Sequence, residues 1–185
     1  MTLRLAKFCA LLATAVSSTT LAAENMTDCH AGWSEYQRGN YMRSVELTSR
    51  CIAEGNLEQS TQARAWRNLG MGLNAAGHSE KAIEAYDIAI SLRPDDVWND
   101  HVNRGNALSD IGRFEEALRA YDTAAGLTTE LGEIHYNRGI VLERMQEIPK
   151  AKESFLLAFK AGLRSEKLAE RMIAHDLYEE VVDRW

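Results

Sequence analysis

The residues best suited to chemistry in this sequence are its histidines. Two of the five lie in similar settings, His101-Val-Asn-Arg-Gly105 and His135-Tyr-Asn-Arg-Gly139. No cysteine or carboxylate stands beside them at ligand spacing, whereas a zinc ion needs three or four ligands. The sequence also contains no HExxH motif, no nucleophile elbow and no glycine-rich phosphate loop. We therefore expect no catalysis, no metal and no cofactor, and we interpret both histidines as packing residues.

The first 23 residues differ from the rest of the chain. Arg4 and Lys7 precede an apolar run over residues 8–16, and Thr20-Leu-Ala-Ala23 supplies small residues. This order of charge, apolar run and small residues is typical of a secretory signal, and the run is too short to span a bilayer. We expect cleavage after Ala22 or Ala23 and export to a bacterial periplasm, with secretion as the alternative destination. An uncleaved N-terminal membrane anchor is the alternative interpretation of the segment itself.

The cysteine count agrees with export. Cys9 would leave with the signal, and Cys29 and Cys51 would remain. An even pair in an exported chain favours a disulfide over two free thiols. We therefore predict a bridge between these two cysteines.

The composition indicates an all-α protein. Among 185 residues there are only two prolines, and 45% of the residues are hydrophobic and 26% charged. Such a chain is rich in helix formers and poor in helix breakers. The formal net charge is −6, and loss of Arg4 and Lys7 with the signal would leave −8. No basic surface for nucleic acid or anionic lipid is expected, and no later segment is long and apolar enough for stable membrane insertion.

Two sequence blocks recur with one period. Trp66-Arg-Asn-Leu-Gly70 aligns with the two histidine segments, and the three glycines are 35 and 34 residues apart. A second block keeps the same spacings, in the segments Ala82-Ile-Glu-Ala-Tyr86, Ala117-Leu-Arg-Ala-Tyr121 and Ala151-Lys-Glu-Ser-Phe155. Repetition at this period predicts stacked supersecondary units that share a continuous core. The glycines would allow close helix approach, and the aromatic residues would fill the gap between successive units.

These blocks resemble the tetratricopeptide repeat, a helix–turn–helix unit of about 34 residues. The resemblance implies an all-α helix–turn–helix solenoid with three clear units over residues 63–96, 98–131 and 132–165. A degenerate first unit is expected over residues 25–58, with a longer loop near Glu54-Gly-Asn56. We expect a C-terminal capping helix over about 166–185 that starts after Ser165. Its apolar face would comprise Leu168, Met172, Ile173, Leu177, Val181 and Val182.

The resemblance also implies a concave groove lined by the first helix of each unit. Asn68, Asn103 and Asn137 occupy the equivalent place, two residues before the repeat glycine. Each amide can both donate and accept, and so could bind the backbone of an extended peptide. The alternative is that asparagine is habitual there in the family. Further groove candidates in the same register are Arg64, Arg67, Met71, Asn99, Asn106, Tyr136 and Ile140.

The groove predicts an adaptor that binds another protein or an extended peptide segment. The chain is also similar to the chaperone-tail clamp of co-chaperones at Arg67 and Asn103, but it carries Glu133 and Asn137 where that clamp needs two bases. Binding of a free acidic C-terminus is therefore not expected. The alternative functions are a self-associating structural module, as a homodimer, and a regulatory subunit of an envelope enzyme.

Overall fold

The computed structural model describes residues 28–55, 57–93 and 97–177. The predicted signal segment and the last eight residues lie outside this range. Within it all regular structure is helical, as the composition predicted. No helix among the described residues is long and apolar enough to cross a membrane.

Consecutive helices pack together in pairs. The chain divides into two compact units, Met1–Arg93 and Pro94–Trp185. The first unit contains α1 over residues 28–37 and then α2 (Tyr41–Glu54), α3 (Gln59–Ala75) and α4 (Ser79–Leu92). The second contains α5 (Trp98–Asp110), α6 (Phe114–Leu127), α7 (Leu131–Arg144), α8 (Ile148–Lys160) and α9 (Glu166–Ala174). Within these units α3 packs on α4, α5 on α6 and α7 on α8.

A tight turn of one type joins the two helices of each pair. In the second pair the N–H of Gly77 donates to the carbonyl of Asn74, and the N–H of His78 donates to that of Leu73, at 2.9 and 2.8 Å. This Schellman pattern places one residue in the left-handed region, where glycine carries no Cβ penalty. Gly39, Gly77 and Gly112 take that place with φ near 80°. In the fourth pair Gln146 adopts φ 63° instead.

The repeat glycines are required because an aromatic ring covers them. A Cβ added to Gly70, Gly105 or Gly139 would lie 2.5–2.7 Å from the ring of Tyr86, Tyr121 or Phe155. All three rings are at least 98% buried. Each ring therefore packs against the glycine of the preceding helix, within its own helix pair. Phe155 also stacks on His175, beyond α9, with the ring centroids 5.6 Å apart.

The first pair keeps this register with smaller side chains. Gly32 faces Thr48, the residue in the place of the aromatic rings. The hydroxyl oxygens of Ser44 and Thr48 are buried there without a hydrogen-bond partner among the described residues. Because these residues bury little apolar surface, the pair has a weak core of its own.

A disulfide joins the two helices of the first pair. Cys29 in α1 is bonded to Cys51 in α2, with their Cα atoms 5.3 Å apart. Cys51 is fully buried. The predicted bridge is thus confirmed.

The longer loop expected after the first pair is absent, and α3 contains the additional residues instead. Helix α2 ends at Glu54 and α3 begins at Gln59, so the connection between them has an ordinary length. With 17 residues α3 is the longest of the bounded helices, and it begins at Gln59, four residues before the expected start at residue 63. The side chain of Gln59 donates to the carbonyl of Leu92 at 2.6 Å, which holds this additional turn against the end of α4.

The C-terminal helix also differs from its prediction. Ser165 caps α9 as expected, accepting from the N–H of Leu168 at 3.2 Å. However, α9 ends at Ala174, because Asp176 adopts φ 57° and the N–H of Leu177 closes on the carbonyl of Met172. Ile173, expected on the apolar face, is 58% exposed, whereas Leu168, Met172 and Leu177 are buried. Val181 and Val182 lie outside the described residues.

Candidate protein-binding grooves

Two cavities lie between consecutive first helices, one in each compact unit. The cavity between α1 and α3, here the N-terminal cavity, has a volume of about 260 Å³. The cavity between α5 and α7, here the C-terminal cavity, has a volume of about 200 Å³. Both lie on the helices that the sequence predicted to line a groove.

The N-terminal cavity is lined by cysteine, histidine and tryptophan side chains from α1 and by basic, polar and small side chains from α3. Helix α1 contributes Cys29, His30 and Trp33, and α3 contributes Thr61, Arg64, Ala65, Arg67 and Asn68. Arg67 and Asn68 stand three and four residues after Arg64, so both lie next to it on one face of α3. Three of the predicted groove residues are therefore brought together.

His30 holds the place of the repeat asparagines in the first pair. It stands two residues before Gly32, as Asn68 stands two residues before Gly70. His30 is exposed on α1 and faces the cavity with Asn68. Trp33 lies one turn further along and stacks on Tyr36, with ring centroids 5.4 Å apart and planes 14° from parallel.

The C-terminal cavity combines amides with an acid and a base. It is lined by Asn106, Ser109, Asp110, Tyr121, Asn137, Ile140 and Arg144. The Tyr121 hydroxyl donates to Oδ1 of Asn106 at 2.7 Å. Burial raises the pKa of this hydroxyl well above its ordinary value, nearby Asp110 raises the pKa further, and Arg144 opposes the change. The hydroxyl therefore stays protonated and fixes the orientation of the Asn106 amide.

Arg144 is held in place at the wall of this cavity. Its guanidinium donates to the carbonyl and to the hydroxyl of Ser109, both at 2.8 Å. The same group lies 4.8 Å above the ring of Phe114. These contacts hold α7 against α5 and α6. The cavity is therefore lined by one acidic side chain, Asp110, and by one basic side chain, Arg144, whose guanidinium is already hydrogen-bonded to Ser109.

Some predicted groove residues do not line either cavity. Asn103 and Met71 are half-buried and Asn99 is exposed, but none of them is among the lining residues. The ring of Tyr136 lies 6.0 Å from that of Phe155, in the core of α7, α8 and α9.

The sequence reasoning missed the lining residues that lie one further turn along each helix. Asp110 and Arg144 stand four residues, about one helical turn, after the predicted groove residues Asn106 and Ile140. Extending the helical period by one turn would have found both. Thr61 stands seven residues before Asn68, in the additional turn of α3 that was expected to be loop. His30 and Trp33 could have been found by applying the glycine register to the first pair.

The two similarly placed histidines do not build a metal site with their described neighbours. Over residues 28–55, 57–93 and 97–177, no group of three or more His, Cys, Asp or Glu could hold a metal ion. Burial lowers the pKa of His135, and the charge of Arg138 lowers it further. His135 is thus kept neutral at the edge of the helix packing.

The stacked helix pairs and the grooves between first helices define a helical repeat protein. A family model described as tetratricopeptide repeat matches residues 30–97 and 102–162. The chain belongs to the tetratricopeptide repeat family. A search of curated protein sequences finds no match.

Solved structures share the fold at low sequence identity. MamA MSR-1 is 23% identical, with 75% of this chain and 76% of that chain covered and a TM-score of 0.63. PilF of Pseudomonas aeruginosa is 20% identical over 89% of this chain and 72% of that one, with a TM-score of 0.69. YrrB, described as a tetratricopeptide protein with an unusual peptide-binding site, is 17% identical over 91% and 89%, with a TM-score of 0.68. Members of this family typically mediate protein–protein interactions.

Proposed function

We propose that this protein is an exported adaptor that binds a segment of another polypeptide along the first helices of its repeats. One observation carries the proposal: Asn68 and Asn137 each line a cavity between consecutive first helices. Both amides are half-buried and combine a donor with an acceptor. Such a side chain can pair with a peptide group of any sequence, so the fold would supply affinity and the neighbouring residues specificity.

A binding role agrees with the character of the cavities. They are shallow and lined by amides, hydroxyls, guanidinium groups and aromatic rings, a mixture suited to extended polypeptide. YrrB, which shares the fold, carries a peptide-binding site by its description. We propose no catalytic activity, because the lining side chains form no nucleophile–base pair.

Export is part of the proposal. The disulfide between Cys29 and Cys51 favours an oxidising compartment. The predicted signal segment over residues 1–23 lies outside the described residues, and its sequence supports periplasmic delivery.

The test begins with a pull-down from envelope extract by the oxidised mature protein. The affinity of the captured partner is then measured for the wild type and for the variant with Asn68, Asn103 and Asn137 all replaced by alanine. Each lost neutral hydrogen bond should cost about 1 kcal/mol, so the affinity should fall at least tenfold. Asn40→Ala is the control, because this exposed amide lies at the α1–α2 turn and donates to Glu35 at 2.7 Å.

Thermal unfolding of the same variants separates binding from scaffolding. If the amides serve the groove, the triple variant keeps its melting temperature while its affinity falls. Unchanged affinity together with a lower melting temperature would contradict the proposal and assign these amides to helix packing. Gel filtration tests the self-associating alternative, for which an obligate dimer without a captured partner is the expected result.

A further inference from the structure

We propose that residues 178–185, which lie outside the described residues, pack back onto α9 as the second helix of a fifth repeat pair. The sequence had predicted one continuous capping helix over about 166–185, whereas this inference makes α9 the first helix of a pair. It goes beyond the proposed function, because it concerns the C-terminal end of the second unit and not the groove. The segment that covers α9 is then part of the same chain.

The first argument is the turn that follows α9. The N–H groups of Asp176 and Leu177 donate to the carbonyls three and five residues before them, at 3.1 and 2.8 Å. The turn between α5 and α6 has the same two bonds, at 3.0 and 2.9 Å, with Gly112 in the place of Asp176. In all four described pairs the second helix begins two residues after this left-handed residue. A helix that begins in the same way after Asp176 would start at Tyr178.

Such a turn does not by itself identify a repeat pair, as the end of α8 shows. Gly162 is also left-handed, with φ 92°, but α9 begins only four residues after it. Nine residues after Gly162 stands Arg171, which is exposed, whereas each of the three later pairs has a buried aromatic ring at this distance from its turn. The residues that follow Asp176 must therefore supply the remaining evidence.

The second argument is that these residues match the beginning of a second helix. Tyr178-Glu-Glu-Val-Val182 aligns with Phe114-Glu-Glu-Ala-Leu118, the beginning of α6. The two glutamates would lie in the first turn, where the helix dipole favours negative charge. Trp185 stands nine residues after Asp176, at the distance that separates the turn residues of the three later pairs from Tyr86, Tyr121 and Phe155.

The third argument is the burial of Leu177. This side chain is 4% exposed and belongs to the same core as Phe155, Leu168 and Met172. The burial keeps the chain close to α9 after the turn. In the second, third and fourth pairs the residue at this place precedes the second helix without capping it by its side chain. A leucine at this place is therefore compatible with the beginning of a helix.

The fourth argument is that the residues of the closest helix approach change together. Ala169 stands seven residues before Asp176, at the place of the repeat glycines, and Val181 stands at the place of Ala82, Ala117 and Ala151. A Cβ at the glycine places would lie 2.5–2.7 Å from the covering ring, so a pair with alanine there must be wider. Ala169 is half-buried, in agreement with a wider spacing. Valine and the indole ring of Trp185 are larger than the side chains they replace, and they would fill the wider gap.

The inference bears on the self-associating alternative. Val181, Val182 and Trp185 would be buried against α9 of their own chain, and they would not be available to a second copy. If the segment were exchanged between two copies, the same contacts would form between chains. The test therefore has to distinguish contacts within one chain from contacts between two chains.

Nuclear magnetic resonance of the oxidised mature protein tests the packing directly. The methyl group of Ala169 should show a nuclear Overhauser contact with the indole ring of Trp185, because the equivalent rings cover the equivalent glycines. The spectrum of Trp185→Phe assigns the indole signal by its loss. An isotope-filtered spectrum of mixed labelled and unlabelled chains detects only contacts between chains, and the contact should be missing from it.

Thermal unfolding of variants measures the contribution of the segment. Trp185→Ala should lower the melting temperature by at least about 5 °C, because it would remove a buried aromatic ring. Trp185→Phe should keep most of the stability, since the three later pairs contain a tyrosine or phenylalanine at this place. Asp183→Ala is the control and should leave the melting temperature unchanged, because the equivalent residues Glu84, Arg119 and Glu153 are exposed.

Two results would overturn packing on α9: a wild type without the contact between Ala169 and Trp185, or a Trp185→Ala variant that melts with Asp183→Ala. A contact that appears in the isotope-filtered spectrum would assign the segment to a second copy and overturn packing within the chain. The wild-type spectra decide these points even if Trp185→Ala does not fold. None of the results depends on Asn68 or Asn137, so the proposed function and this inference fail separately.

Discussion

Two glycines of the same helix pair lie in opposite surroundings. Gly105 in α5 is covered by Tyr121, and a Cβ there would lie 2.5 Å from Cε1 of that ring. Gly126 in α6 is exposed, and a Cβ there would meet no atom within 4 Å. The first glycine is therefore needed for packing, whereas the second only lowers the helix propensity of its segment.

Alanine replacements should separate these roles. Gly105→Ala should destabilise the second unit by about 1–3 kcal/mol, because the buried ring cannot shift freely. Gly126→Ala should stabilise it by up to about 1 kcal/mol, since alanine restricts the unfolded chain and favours helix. Urea unfolding followed by circular dichroism measures both. Equal effects of the two replacements would show that the ring of Tyr121 moves aside at no cost.

The residue positions of the N-terminal cavity were only partly predictable. Arg64, Arg67 and Asn68 followed from the repeat register, because equivalent places in a repeat have equivalent orientations. His30 and Trp33 stand in the first pair at the places that Asn68 and Met71 hold in the second. Because their residue types differ from those of the second pair, the repeat pattern did not identify them as groove residues. Asn103 keeps the asparagine but does not line the C-terminal cavity, where Asn106 and Asp110 contribute instead.

At the scale of elements, the helix pairs were predictable and two of the helix ends were not. The spacing of 38 residues between Gly32 and Gly70 revealed four additional residues without showing their conformation. They form a helical turn because Gln59-Ser-Thr-Gln contains no breaker and Gln59 finds an acceptor on α4. The end of α9 depends on Asp176 in the left-handed region, a conformation that aspartate adopts more readily than most residues and that its type alone does not require.

The first helix pair should depend on its disulfide more than on its core. The bridge closes a loop of 22 residues, which corresponds to about 3 kcal/mol in the chain-entropy model. Replacing both cysteines by serine should therefore lower the stability of the first unit by roughly this amount. It should also weaken peptide binding at the N-terminal cavity, because α1 supplies one wall of that cavity.

Thermal unfolding with and without a reductant measures this contribution. Reductant should lower the melting temperature of the wild type to that of the double-serine variant and should not affect the variant itself. A wild type that melts at the same temperature under both conditions would show that α1 is held by packing alone.

At the scale of the whole molecule, the period of the sequence predicted the class of fold, and the family match confirmed it. Composition, one repeat spacing and the small residues that recur in each unit suffice to predict the fold class, because each unit must bury the same apolar face. The charge of each cavity depends on single side chains outside that pattern. For this reason the side chains that line each cavity are known only from the structure.

The proposed export can be tested at two places in the chain, because a cleaved signal segment and a stable disulfide are both expected of a protein delivered to an oxidising compartment. The chain recovered from its native host should begin near Glu24, because Thr20-Leu-Ala-Ala23 supplies the small residues of a cleavage site. Its two remaining cysteines should resist alkylation until a reductant is added. The same residues produced without the leader in a reducing cytosol should carry two free thiols and should melt at the temperature of the double-serine variant. N-terminal sequencing and intact mass after alkylation measure these properties, and an exported protein that begins at Met1 or Thr2 would contradict cleavage.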